Sequence, residues 1–158
     1  MAEPYVHRVD VRYLEVDRQG VVFNMWYLAY FDDAMSGLLA RGGVPYPQLL
    51  AEGYDVMLVH TELDWTAGVG FGDDVRVEVS TERIGTTSFT LGFAVMRGTE
   101  VVCRARTVYV VVAVEDYAKR EIPTPLRAAL AIAEGTAMAG GQADGGALQP
   151  SGDTLTSS

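Results

Sequence analysis

The chain opens on a two-residue rhythm. Between Tyr5 and Leu14, Val9, Val11 and Tyr13 alternate with Arg8, Asp10 and Arg12, which predicts a half-buried strand over 5–14. The rhythm changes after a polar loop. Tyr27, Leu28, Phe31, Ala34, Met35, Leu38 and Leu39 recur at three- and four-residue spacing and predict a helix over 24–41, about 27 Å long. Its stop signal is Arg41-Gly42-Gly43 with Pro45 just beyond. A short helical turn over 47–53 follows, with Pro47 at its start, where a first-turn proline is tolerated, and Gly53 at its end.

From residue 54 the period returns to two. Segment 54–65 reads as a strand without clear alternation, whereas 74–83 sets Val75, Val77, Val79 and Thr81 against Asp74, Arg76, Glu78 and Ser80. Segment 86–97 puts Phe89, Leu91, Phe93 and Val95 on one face, and 100–114 is a long β-branched run. The "RGTE" between them (97–100) reads as a tight reversal, so these strands form an antiparallel meander. Thr124 and Pro125 open a last short helix, "LRAALAIAE". Residues 134–158 are rich in Gly, Ala and Ser without a period and are expected to be a disordered tail after a folded domain over 1–133. One strand, one long apolar helix and four strands predict an α+β architecture in which the sheet covers the helix. Met25, Trp26 and Tyr30 add apolar groups beyond the main stripe, which calls for a second covering surface, from sheet curvature or a partner subunit.

Composition narrows the function classes. With 158 residues and 49% hydrophobic content the chain can bury one sizeable core. A net charge of −9 argues against nucleic acid, whose phosphates need clustered Lys and Arg, and gives no attraction to an anionic membrane surface. Cys103 is the single cysteine, so no intramolecular disulfide and no cysteine metal cage can form, and a reducing, cytoplasmic location is expected. No metal site is expected. The opening "MAEPYVHRVD" lacks a basic segment followed by an apolar run, and nothing resembles a membrane span of about 18 apolar residues.

Familiar catalytic marks are absent. There is no Gly-x-Ser-x-Gly elbow and no Gly-x-x-x-x-Gly-Lys phosphate loop, and the two histidines, His7 and His60, are far apart. The glycine-rich "GVGFGDD" (68–74) leads into a strand rather than a helix and reads as a turn. Asp17 stands out, in a polar, glycine-containing loop just ahead of the longest apolar helix. A helix start presents unpaired N–H groups and a partial positive charge, which favour a carboxylate and can also hold a developing oxyanion. By residues alone Asp17 has two readings: a turn-making side chain, or a reacting carboxylate.

The segment "VRYLEVDRQGVVFNMWYLAYFDDA" resembles the signature of the 4-hydroxybenzoyl-CoA thioesterase family of hotdog-fold proteins. An aromatic strand residue is followed by an Asp, two residues and a Gly, then a Val-rich turn and a helix carrying Tyr-Leu-x-Tyr-Phe-acidic. The similarity continues through "GVPYPQLL", "HTELDWTAGVGFGDDVRVEV" and "TSFTLGF", covering about residues 5–120 in order. It implies a hotdog fold, a long central helix wrapped by a curved antiparallel sheet of about five strands. It also implies hydrolysis of an acyl-CoA or acyl-carrier-protein thioester, with no cofactor beyond the coenzyme A of the substrate, by a homodimer or homotetramer whose pocket lies between subunits.

By the same resemblance Asp17 is the catalytic carboxylate, as nucleophile or as general base, Gly20 lets the loop turn, and the backbone N–H near Asn24 polarises the thioester carbonyl. Tyr13, Val22, Phe23 and Tyr27 are implied around the substrate, with core packing as the plain alternative for the aromatic ones. His60 is a possible pocket residue, Ser88 matches a position near the pantetheine arm, and Arg83 is the one cation in "RIGTTS" available for nucleotide phosphates. The chain departs from relatives that carry a His at the position of Asn24 or Val21; Asn24 can hold water but accepts no proton near neutral pH. Two rivals stand beside hydrolysis. A hotdog hydratase or dehydratase would need a His beside an acidic helix residue, a pair missing here, and a non-catalytic acyl-thioester-binding protein would not need Asp17 ionised.

Overall fold

The computed structural model of the protein describes residues 3–135. The elements run β1 (Tyr5–Val9), a 3-10 turn (Tyr13–Glu15), α1 (Trp26–Arg41), α2 (Tyr46–Ala51), β2 (Tyr54–Trp65), β3 (Val75–Ile84), β4 (Ser88–Arg97), β5 (Glu100–Ala113) and α3 (Thr124–Ala131). The strands form one five-stranded sheet in the order β1-β3-β4-β5-β2, and every pairing is antiparallel. The α+β fold predicted from the sequence, with a long helix against an antiparallel sheet of five strands, is the fold observed.

The core lies between α1 and one face of the sheet. Phe31 of α1 stacks on Phe93 of β4 with ring centroids 4.7 Å apart, and Phe89 stacks on Tyr109 of β5 at 5.2 Å. Val75, Val77 and Val79 of β3 and Phe89, Leu91, Phe93 and Val95 of β4 are all buried, as their alternation predicts. The buried stripe of α1 is Tyr27, Tyr30, Phe31, Ala34, Met35, Leu38 and Leu39. Leu28, expected in that stripe, is 38% exposed, and Tyr30 takes a buried place instead because its hydroxyl reaches back to the preceding loop.

Three boundaries differ from expectation for identifiable reasons. The first strand stops at Val9 because Val9 pairs with Val75, where β3 begins, so the chain beyond has no partner. Helix α1 starts at Trp26 rather than 24, because Asn24 and Met25 form a turn before the helical ladder is established. The unclear alternation of β2 comes from an irregularity at Val59. Leu58 pairs with Tyr109 and His60 with Val108, so the helix-facing set changes from Tyr54, Val56 and Leu58 to Thr61, Leu63 and Trp65. Close approach of α3 to the end of α1 needs Gly42, since a Cβ there would collide with Ala129. Glu134 makes a parallel bridge to Thr81; beyond Gly135 the expected tail lies outside the described residues.

This packing predicts unequal costs along α1 and its partner strand. Phe93→Ala is expected to lower the unfolding free energy by about 3–5 kcal/mol, whereas Leu28→Ala should cost less than about 1 kcal/mol. Urea unfolding at one protein concentration checks both.

Candidate active site

Residues 15–23 fold back on themselves ahead of α1. Val16 bridges Val22, the Asp17 N–H donates to Val21 O at 2.9 Å, and the Phe23 N–H donates to Glu15 O at 2.9 Å. Gly20 closes the reversal with its N–H on Asp17 O at 3.0 Å and φ of +78°, a left-handed conformation that only glycine adopts without strain. Asp17 Oδ1 accepts the Gln19 N–H at 2.8 Å, so the turn-making role is filled by one oxygen. Among the described residues nothing hydrogen-bonds or ion-pairs with the other, Oδ2, and the half-buried side chain keeps one acceptor open.

The helix start supplies donors beside it. The ladder of α1 begins with Trp26 N–H on Phe23 O at 3.0 Å, Tyr27 N–H on Asn24 O at 3.3 Å and Leu28 N–H on Met25 O at 3.2 Å. Among the described residues the N–H groups of Asn24 and Met25 donate to no backbone carbonyl, and no side chain caps the helix at Met25. Two unclaimed donors thus stand at the positive end of the 16-residue α1. Asp17, Arg18, Phe23 and Asn24 line one open hollow of about 470 Å³.

A second loop braces the first. Val22 N–H donates to Val69 O at 2.8 Å, and a Cβ on Gly68 would lie 2.9 Å from Val21 Cγ1. On Gly70 it would lie 3.1 Å from Gly20 O. Gly68 therefore makes room for the Val21 side chain and Gly70 for the Gly20 carbonyl of the Asp17 loop, while Gly70 N–H on Asp73 Oδ2 at 2.7 Å makes the expected turn into β3.

Sequence reasoning passed over Glu15. It is 3% exposed, and its carboxylate accepts the Tyr30 hydroxyl at 2.9 Å, the Arg12 N–H at 2.8 Å, and Arg12 Nε and Nη2 at 3.1 and 3.0 Å. Burial by itself pushes the Glu15 carboxyl up, but the hydrogen bonds from Arg12 and Tyr30 and the guanidinium charge outweigh it and hold the group below the ordinary glutamate range. The available signal was an acid set between Leu14 and Val16, three residues after an arginine. Asp32, the acidic residue that closes the helix motif and was given no role of its own, lines a separate hollow of about 220 Å³ with Tyr109 and Leu58. Desolvation by those walls raises its carboxyl above the ordinary range, while the Tyr109 hydroxyl donates to it at 3.4 Å.

The remaining expected residues divide. Phe23 is 49% exposed in the Asp17 hollow. Val22 and Tyr27 are 2% and 1% exposed and belong to the core, with Tyr27 edge-on to Trp65. Tyr13 is not in a strand or a wall of the hollow: it sits in the 3-10 turn, 80% exposed, with its ring edge-on to Phe71. His60 is exposed on the edge strand β2 and bonds Glu62 at 3.0 Å, on the sheet face away from α1. Ser88 opens β4 and Arg83 lies near the end of β3, so both stand at the opposite end of β3 from the loop that braces Asp17. Ten residues of strand separate those ends by roughly 33 Å. Among the described residues no three His, Cys, Asp or Glu side chains are grouped to hold a metal ion, and no helix is long and apolar enough to cross a membrane.

Comparison with known proteins finds relatives in sequence and in fold. A 1,4-dihydroxy-2-naphthoyl-CoA hydrolase of Synechococcus elongatus is 24% identical over 129 residues, 80% of this chain and 93% of that protein. The crystal structure of a hypothetical protein from Aquifex aeolicus superposes with a TM-score of 0.77 at 25% identity, covering 80% of this chain and 99% of the other. A 1,4-dihydroxy-2-naphthoyl-CoA thioesterase from Synechocystis superposes with a TM-score of 0.74 at 20% identity, over 80% and 95% of the two chains, and shares the fold. The sequence pattern of the thioesterase superfamily matches residues 19–104, from just after Asp17 into β5 and more than half of the chain, and the protein belongs to that superfamily.

Proposed function

We propose that this protein is a thioesterase of the 4-hydroxybenzoyl-CoA type, hydrolysing an acyl-CoA or acyl-carrier-protein thioester to the free acid and the thiol, with Asp17 as the reacting carboxylate. The observation that carries this reading is the open hollow into which Asp17 faces beside the helix start, where the Asn24 and Met25 N–H groups have no backbone acceptor among the described residues. A thioester carbonyl between them meets donors for its developing oxyanion and an oxygen nucleophile or base on one side. Two versions of the step fit. Asp17 attacks the carbonyl carbon, the C–S bond breaks to release thiolate, and water then cleaves the resulting anhydride; or Asp17 takes a proton from water as that water attacks. The thiol leaves readily in either case, since its pKa is about 8.5. Asn24 would hold water but carry no proton, consistent with a carboxylate working without imidazole.

The same reading includes a homodimer. Strand β2 is at the sheet edge, and its Met57, Leu58 and Val59 are 45%, 43% and 55% exposed, an apolar run on an edge that offers a second copy a surface to pair with. An antiparallel pairing of β2 with its copy across a two-fold axis reverses the sheet, so the partner's Ser88 and Arg83 end comes to the Asp17 end. That relation would unite the pantetheine and phosphate residues with the carboxylate, which one chain alone keeps at opposite ends of β3.

Two outcomes are expected. Asp17→Asn should lower thiol release from the best of a panel of short, long and aromatic acyl-CoA and acyl-carrier substrates by about 10²-fold or more; equal product formation by both forms would make the protein a binder or place the chemistry elsewhere. Leu58→Lys should shift the assembly toward monomer in sedimentation velocity and reduce turnover, whereas wild-type protein that is monomeric and fully active would refute the shared site.

A further inference from the structure

We propose that Glu15 is a positioning residue that sets the relation between the Asp17 loop and the start of α1, acting through Tyr30 and Arg12 rather than on the substrate. The inference rests on Asp17 being the reacting carboxylate. Three separate pieces of chain meet at this one residue. Its carboxylate takes the Tyr30 hydroxyl from the second turn of α1 at 2.9 Å, together with the Arg12 N–H and guanidinium from the segment between β1 and the 3-10 turn. Its backbone carbonyl takes the Phe23 N–H at 2.9 Å, on the arm returning to the helix. Between those anchors lie Asp17, two residues after Glu15, and Asn24, one residue after Phe23.

The arrangement limits how the two halves of the hollow can move. Arg12 is itself held over the Trp26 ring, 5.3 Å from its centroid, so both Arg12 and Tyr30 tie Glu15 to the first turns of α1. The Asp17 loop is pinned on its other side by Val69 O. A loop with only the Val69 contact could hinge about it; the added fork at Glu15 removes that freedom. For stability alone an apolar side chain in this buried place would serve as well, because a buried charge must first overcome its desolvation. What a fixed carboxylate with several directional bonds adds is orientation, and a displacement of about 1 Å at a reacting group can cost on the order of 10²-fold in rate.

The test uses Tyr30→Phe, which removes only the hydroxyl, and Glu15→Gln, singly and together, with Asp17→Asn alongside. Tyr30→Phe is expected to lower kcat about tenfold and Glu15→Gln by about 10–100-fold, each with KM within about twofold. The double variant should fall well short of the product of the two losses, because both cut one tether. Hydrogen exchange should quicken over residues 16–25 in both single variants while the β3–β5 amides keep their protection. Tyr30→Phe that folds, retains kcat within about twofold and leaves exchange over 16–25 unchanged overturns the proposal, as does a loss carried by KM alone. If Asp17→Asn keeps full activity, or no thioester is turned over, it is the function reading that fails. The exchange arm then decides the tether by itself: quickened exchange confined to 16–25 upholds it, and unchanged exchange overturns it.

Discussion

Everything in this molecule depends on burying one face of a long helix against an antiparallel sheet. The Phe31–Phe93 stack joins the helix to the sheet, and Leu38, Leu39, Leu91 and Val77 are fully buried in the same core. Burial of this kind is non-directional, so it settles that the helix lies on the sheet but not where its N-terminus comes to rest. Directional contacts finish the task. Gly42 against Ala129 at one end, and the loop 15–23 braced by Val69 at the other, convert a greasy contact into a fixed one.

The candidate site follows from where that helix begins. A helix end has donors to spare, and the turn at Asn24 and Met25 leaves two of them without a backbone acceptor among the described residues. Asp17 has one oxygen engaged by Gln19 and the other open. Neither feature is chemistry alone, since turns and uncapped helix starts are common. What sets this place apart is that Asp17 and Asn24 line one hollow, in a chain of the thioesterase superfamily. The desolvated Glu15 beneath them shows a second level of organisation, in which a buried charge is spent on geometry.

The sheet edge carries the other half of the argument. Strand β2 displays exposed apolar side chains at Met57, Leu58 and Val59, and it is joined to β5 on its inner side through an irregularity at Val59. A chain whose proposed binding residues lie at two ends of one sheet, and whose edge strand exposes an apolar run, has the makings of a site completed by a copy of itself.

Much of this was legible in the sequence, because period is a local property. The alternation of Val75, Val77 and Val79, the spacing of Phe31, Ala34, Leu38 and Leu39, and the stops at Gly42 and Gly53 each report on neighbours within a few residues, so the α+β order and most element boundaries could be read directly. The Asp17 loop was visible as a motif for the same reason. What the sequence could not convey was which distant residues share a place. Strand β1 ends where β3 begins, Tyr13 is exposed once the chain leaves the sheet, and Val22 turns inward. The alternation of β2 is reset by one residue, His60 faces away from α1, and Glu15 finds Tyr30 fifteen positions on. The sequence by itself determined the elements and their order, since these follow from local spacing. Only the tertiary structure decided the burial of Glu15, the bracing by Val69 and the separation of Ser88 from Asp17, because each depends on pairing between segments that no local pattern connects.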